Sequence, residues 1–408
     1  MPDLAKQIDQ AAQQCVKCGL CLPYCPTYVV AKNENESARG RIALAQGAVR
    51  AQVPISELLT YHLDTCLACR ACEAVCPAGV KYEELITSTR AWLNPTHKPS
   101  AFERIIIHVL EHPWLRRLFS AAIRIFQRFN WLQKFTFKLR QIKLFSLASY
   151  IPVKPVNKNT SLSLPSVTRG RALLLAPCAS EVFDQRTIND AQKIIQYFGL
   201  EVTVPNNNSC CGALSLHAGQ LSQAQHCADQ QIKQWNELQP NVILSLASGC
   251  HATLQEYACA PLDRTVPNIP LQMIEEFVLQ QIIAQKKKLR PLPKRLIVHT
   301  PCTLRNAIRK PQLTPELLRH IPDATCISIP ASMGCCGAAG SYFFRHADIA
   351  KKLVTPIVAF IREQQPDVWL TSNIGCALHI QHALREEGID IPVLHPISLV
   401  LEQLYPNV

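Results

Sequence analysis

Sixteen of the 19 cysteines in this 408-residue chain fall into four sets of four. The first set is Cys15, Cys18, Cys21 and Cys25, followed by Pro26, and the second is Cys66, Cys69, Cys72 and Cys76, followed by Pro77. Both read C-x2-C-x2-C-x3-C-P. Thiolates are soft ligands that take iron-sulfur centres or zinc. Two-residue gaps make poor disulfides but good metal ligands. Three cysteines so spaced let one loop wrap three corners of an iron-sulfur cube. The third cysteine and the trailing proline, repeated with identical spacing, favour a [4Fe-4S] cube over a zinc knuckle.

The third set is Cys178, the vicinal pair Cys210 and Cys211, and Cys250. The fourth is Cys302, the pair Cys335 and Cys336, and Cys376. These two sets form an internal repeat, with offsets of 124, 125, 125 and 126 residues. Neighbouring residues repeat too, including Cys-Cys-Gly-Ala in both copies. Adjacent side chains diverge, so a vicinal pair suits two different metal ions of one centre, or a bridge between them. An iron-sulfur cluster, a zinc ion and a metal-free dithiol all fit this pattern. Gly212 and Gly337 supply the close backbone approach that follows each pair. Cys227, Cys259 and Cys326 have no counterpart at the repeat offset and read as small buried hydrophobes.

The elements that must hold these residues differ between the halves. Residues 1–97 form a helical module, with helices over Arg39–Arg50 and Ile55–Leu63 between its two motifs. Residues 171–290 and 291–408 form two α/β domains. The first has strands at Arg171–Ala176, Glu201–Val204 and Val242–Leu246, and the second at Arg295–His299, Thr325–Ile329 and Val368–Thr371. Strands alternating with helices imply parallel sheets, whose sites form beyond the C-terminal strand ends. All eight repeat cysteines fall after such ends. The fold class is therefore multidomain: a helical domain, then two repeated parallel-sheet domains bearing Cys-Cys-Gly.

Composition excludes several other functions. Hydrophobic residues make up 48% of the chain, too many for global disorder. No apolar run reaches about 18 residues, so no spanning helix is expected. Met1 to Gln14 lacks the apolar core of a signal peptide. Of the net charge of +12, residues 98–154 carry +9, from 11 basic and 2 acidic residues. The excess is local, and nucleic acid is not an expected partner. Residues 98–170 read as a basic aromatic helical segment and linker. An amphipathic helix places Leu115, Leu118, Phe119, Ala122, Ile123 and Phe126 on one face and Arg116, Arg117, Arg124 and Arg128 on the other. This segment fits either a membrane surface or a bridge packed on its own domains. His108 and His112 read as surface residues. Pro152, Pro155 and Pro165 mark the linker.

The N-terminal module resembles the helical ferredoxin domain of succinate dehydrogenase and fumarate reductase iron-sulfur subunits. In two-cluster ferredoxins the fourth cysteine ligates the other cluster. The resemblance implies cluster one on Cys15, Cys18, Cys21 and Cys76, and cluster two on Cys66, Cys69, Cys72 and Cys25. The Cys-Cys-Gly domains resemble those of heterodisulfide reductase. That family carries a further cysteine where this chain has Thr253 and His379.

The whole order most closely resembles the iron-sulfur subunit of bacterial glycolate oxidase. Arg39-Gly40-Arg41, Ser248-Gly249-Cys250, Pro301-Cys302-Thr303-Leu304 and Asn373-Ile374-Gly375-Cys376 carry that resemblance. It implies electron relay from FAD-bearing subunits that oxidise glycolate to glyoxylate, toward a membrane acceptor such as quinone. The expected place is the cytoplasm, peripheral on the inner face of the membrane. No G-x-G-x-x-G follows a strand, so FAD is expected only on partner subunits, and no residue here reads as a catalytic acid, base or nucleophile. The iron-sulfur subunits of anaerobic glycerol-3-phosphate dehydrogenase and of D-lactate dehydrogenases share this plan. Two rival readings are a thiol/disulfide catalyst and a zinc-stabilised assembly module.

Overall fold

Polar side chains cap three of the N-terminal helices. Asp3 accepts from the Lys6 amide at the start of α1 (Leu4–Gln13). Pro26 begins α2 (Pro26–Ala31), where a missing N–H costs nothing. Ser37 caps α3 (Ala38–Val49) and Ser56 caps α4 (Glu57–Asp64). A single turn, α5 (Ala71–Ala74), precedes α6 (Tyr82–Leu93). Ile8, Ala45, Leu63, Leu85 and Ile86 form the core between these helices. The first cysteine loop leaves α1 and the second leaves α4, so both start from that core. Helices α7 (Ala101–Glu111) and α8 (Pro113–Arg128) follow. The computed structural model describes residues 3–96, 99–128, 169–205 and 209–404.

Two four-stranded parallel sheets make up the rest. The first contains β1 (Arg171–Leu175), β2 (Glu201–Thr203), β3 (Val242–Ser245) and β4 (Leu271–Met273), in the order β2-β1-β3-β4. The second contains β5 (Arg295–His299), β6 (Thr325–Ser328), β7 (Val368–Thr371) and β8 (Val393–Leu394), in the order β6-β5-β7-β8. The two orders are the same, as the cysteine repeat requires. Each sheet has a fourth strand that the sequence pattern does not announce. Central strands β1, β5 and β7 are nearly continuous apolar runs, as expected where both sheet faces are covered.

One hydrophobic core spans both repeats, uniting Leu174, Ile194 and Leu244 with Leu296, Val298 and Leu370. The closing helices are exchanged. Ile274–Ala284 of the first repeat packs on Leu313–Leu318 of the second, and Pro396–Leu404 of the second packs on Gln185–Tyr197 of the first. The repeats therefore share their core, and apolar burial couples their stabilities.

Two expectations need correction. Arg116 does not join a solvated basic face: it is 1% exposed, and its guanidinium donates to both carboxylate oxygens of Glu181 at 3.0 and 3.3 Å. Conversely, Leu118 and Trp114 are about three-fifths exposed, while Ile123 of the same helix is buried. Helix α8 thus turns a mixed face inward, because the ion pair with the helix Cys178–Phe183 outweighs the simple apolar stripe. Cys326 is also exposed rather than buried, since β6 lies at a sheet edge. Cys227 is buried and Cys259 is half-buried. His108 is exposed and stacks on His112, with ring centroids 3.9 Å apart. The side chains of Arg124 and Arg128, the aromatic run from Phe129 and the proline linker lie outside the described residues.

Candidate metal centres

The two N-terminal cysteine loops take the same turn. Lys17 and Ala68, each two residues after the first cysteine of its motif, have φ of 57° and 48°. Gly19 and Arg70, two residues further on, have φ of 85° and 60°. Non-glycine residues are uncommon in this left-handed region. Its recurrence at matched positions of two unrelated tetrapeptides shows that both loops curl the backbone around a centre.

The curled loops bring the cysteines together in two cavities. One is lined by Cys15, Cys18, Cys21, Cys72 and Cys76. The other is lined by Cys25, Cys66, Cys69 and Cys72. The fourth cysteine of each motif therefore faces the other motif's cavity. Apolar walls of Ala38, Ile42, Val80 and Tyr82 complete the first cavity. The donor set, five thiols around the first cavity and four around the second with Cys72 between them, in a largely apolar shell, fits thiolate-held iron-sulfur cubes. Cys18 is exposed, whereas Cys25, Cys66 and Cys69 are buried. The first cavity thus reaches the surface and the second lies inside.

Burial raises the Cys72 thiol well above its usual range, and the charges of Cys69, Cys66, Cys25 and Cys21 add to it. Cys69 is raised likewise, first by burial and next by Cys302 of the second repeat. Thiols so crowded ionise together only when a cation takes up their charge. Arg41 lies beside the inner cavity. It donates to the His62 carbonyl at 2.6 Å, to Thr27 Oγ1 at 3.0 Å and to Glu36 Oε2 at 2.5 Å. Burial opposes its charge, but Cys66, Tyr82, Cys25 and Glu36 outweigh that and hold its pKa above the ordinary guanidinium value.

The Cys-Cys-Gly cysteines converge as the strand ends require. In the first repeat Cys210 and Cys178 have their sulfurs 3.8 Å apart. In the second, Cys335 and Cys302 are 3.9 Å apart. Hydrogen bonding to Cys210 and Cys250 holds Cys211 well below the usual thiol range, despite its burial. Each vicinal pair is split: one sulfur faces the cysteine after the first strand, and the other faces the cysteine after the third. Gly212 and Gly337 have φ of 79° and 86°, and a Cβ on Gly337 would stand 3.0 Å from the Ala350 backbone. Close approach and a left-handed turn thus both demand glycine there. Cys227 lies beside this turn, where a Cβ on Gly212 would meet its Cβ at 3.1 Å, and Leu353 occupies the matching place at Gly337. That equivalence marks Cys227 as a packing residue.

Sequence reasoning missed one residue. His299, at the end of β5, is buried, and one ring nitrogen lies within 4.8 Å of both the Cys336 and Cys376 sulfurs, themselves within that distance. Burial, and then Arg305, lower its pKa to about 3, so the imidazole is neutral. The available signal was its position three residues before Cys302. His379, which stands where the heterodisulfide reductase family has its further cysteine, is buried against the Phe343 ring, with ring centroids 5.4 Å apart, and reads as a core histidine. Thr253 donates to the Gly249 carbonyl within its own helix.

Residues 11–80 match the 4Fe-4S dicluster domain family, and residues 172–255 and 296–381 each match the cysteine-rich domain family. The chain carries one dicluster domain and two cysteine-rich domains. Over 95% of its length it is 28% identical to the probable glycolate oxidase iron-sulfur subunit of Bacillus subtilis (strain 168), spanning 93% of that protein. It is also 28% identical to the glycolate oxidase iron-sulfur subunit of Escherichia coli (strain K12), over 98% of this chain and 96% of that one. Lactate utilization protein A of Bacillus velezensis is 21% identical over 54% of this chain and 95% of its own length. The expected resemblance to glycolate oxidase iron-sulfur subunits therefore runs through nearly the whole dicluster and cysteine-rich chain. Among the described residues no helix is long and apolar enough to cross a membrane.

Proposed function

We propose that this chain is the electron-relay subunit of a 2-hydroxy-acid oxidase complex, taking electrons one at a time from an FAD-bearing subunit that oxidises glycolate to glyoxylate. The acceptor beyond it is a membrane carrier such as quinone. The observation that carries this reading is the continuity of sulfur sites. They run from exposed Cys18, through the crossed cavities, to Cys69, whose loop packs in one core with Cys335, Cys336 and Cys376. When bound, [4Fe-4S] clusters supply one-electron carriers. The ligands are Cys15, Cys18, Cys21 and Cys76 for the outer cluster, and Cys66, Cys69, Cys72 and Cys25 for the inner one. The two repeat sites, Cys178, Cys210, Cys211 and Cys250, and Cys302, Cys335, Cys336 and Cys376, hold further metal.

The protein's own part is to hold, insulate and orient. Val16, Leu20 and Tyr24 are more than half exposed around Cys18 and offer an apolar docking surface for the flavoprotein. Trp114 and Leu118 on α8 offer a second such surface, suited to peripheral attachment on the cytoplasmic face of the membrane. Cys18→Ser in the assembled complex is expected to remove one cluster's EPR signal and to halt dye-linked glycolate turnover. Undiminished turnover would reject the relay. The similarity to a protein named for lactate utilization makes lactate a second candidate substrate of the partner. Parallel assays of the isolated complex on the two acids decide between them.

A further inference from the structure

The two cysteine-rich repeats are alike in fold but not in the donors they gather. In the second repeat, the ligand atoms of His299, Cys336 and Cys376 lie within 4.8 Å of one another. A tetrahedral metal with bonds of about 2.0–2.3 Å separates its ligand atoms by roughly 3.3–3.8 Å. The triad is thus gathered to within about 1 Å of the spacing of ligands on one ion. Its imidazole is held in place by a 3.0 Å hydrogen bond between Nδ1 and Thr371 Oγ1, and by the Trp369 ring with centroids 5.4 Å apart. A metal-bound histidine typically has its other nitrogen fixed in this manner. In the first repeat the residue three places before Cys178 is Leu175, which has no donor atom.

We infer that His299 is a nitrogen ligand to a metal ion of the second cysteine-rich site, shared with Cys336 and Cys376, and that the first site is held by thiolates alone. The inference rests on the proposed reading that both sites hold metal. Thiolate and imidazole donors together suit iron or zinc. Cys302 and Cys335, 3.9 Å apart, are the other half of the split vicinal pair and can serve a neighbouring ion. Where the ion is iron, replacing thiolate by histidine raises its reduction potential. A higher potential there would make the second site, whose cysteines share a core with Cys69 of the inner ferredoxin loop, the favoured electron acceptor of the two.

Crystals of the full chain, prepared without oxygen, give the test through anomalous scattering at the iron and zinc edges. The expected map has a metal peak bonded to Cys336 and Cys376 with a His299 nitrogen at about 2.0–2.1 Å. A metal at that site bonded by sulfur only, with His299 standing clear, overturns the inference and leaves the metal-site reading intact. No metal at either cysteine-rich site overturns both. In solution, His299→Leu installs the first repeat's residue. This variant is expected to keep the N-terminal EPR signals and lose about one metal ion per chain, and His299→Cys is expected to restore it. Full retention of metal by a folded His299→Leu protein also overturns the inference.

Discussion

Asn306 donates its side-chain amide to the Cys69 carbonyl at 2.8 Å. This bond joins the turn after Cys302 to the loop that lines the inner ferredoxin cavity, across 237 residues of sequence. It fixes the separation of two sulfur sites whose thiols already feel one another, since Cys302 contributes to the raised pKa of Cys69. Asn306→Leu leaves that part-buried carbonyl without its donor, at a cost of about 1–3 kcal/mol. The expected result is intact N-terminal clusters but several-fold slower electron arrival at the second repeat, read by freeze-quench EPR. An unchanged rate would show that the contact does not govern the route.

Arg41 is the main electrostatic support of the inner cavity. Its guanidinium binds Glu36, Thr27 and Thr65, and Glu36 in turn meets His62 Nδ1 at 2.6 Å. Arg41→Leu strands a buried carboxylate, which costs about 3–5 kcal/mol. It also removes a positive charge beside the Cys25 and Cys66 thiolates. Thermal unfolding should shift to lower temperature, and the inner cluster's midpoint potential should fall, because a reduced cluster is better stabilised near a cation. Arg41→Lys keeps the charge but not the planar fork, so it should recover more of the potential than of the stability. If redox titration finds equal potentials in wild type and Arg41→Leu, the charge does not act on the cluster.

Glu275 makes the junction of the repeats sensitive to pH. It is fully buried and accepts from Thr314 Oγ1 of the opposite repeat at 2.6 Å. Burial raises its pKa from 4.5 to about 7, against the lowering effect of the Thr314 hydrogen bond and the Ser372 hydroxyl nearby. Between these two values the folded protein binds the proton more tightly than the unfolded chain. The associated stability is complete below about pH 4.5 and is lost as pH rises through about 7. Glu275→Gln keeps the acceptor and removes the ionisation. Its melting temperature, relative to wild type, should climb from pH 5 to pH 8, toward a gain of roughly 3 kcal/mol. A constant difference across that range would count against a buried, shifted carboxyl.

The parts of this protein that were legible in sequence are those set by short spacing or by repetition. The cysteine loops are local, and their curl follows from residues such as Gly19 within the motif itself. Strands β1, β5 and β7 show because both their faces are buried. Strands β4 and β8 are only three and two residues long, and they exist because β3 and β7 offer them a parallel edge. No local run announces such a strand. His299 was hidden for a similar reason: its neighbours Cys336 and Cys376 come from distant loops. Arg116 was misplaced because helical periodicity sorts residues by polarity, while its part-buried partner Glu181 lies 65 residues away.

That ion pair separates two roles along α8. Arg116 Nη1 also donates to the Leu110 carbonyl at 2.7 Å, so one guanidinium closes the α7–α8 corner and holds the helix that begins at Cys178. Arg116→Gln should therefore act on the fold and on the first repeat site. It is expected to lower the melting temperature, by an amount corresponding to about 2 kcal/mol for a part-buried, charged hydrogen-bonded pair, and to reduce metal retention there. Trp114 and Leu118 point outward, and Trp114→Glu with Leu118→Glu should leave both properties unchanged. If α8 seats the complex on a membrane, the double variant should lose co-sedimentation with anionic vesicles because two carboxylates replace inserted apolar groups. Sedimentation equal to wild type would make this face one for a protein partner, and the same variant would then be scored by recovery of the flavoprotein subunit.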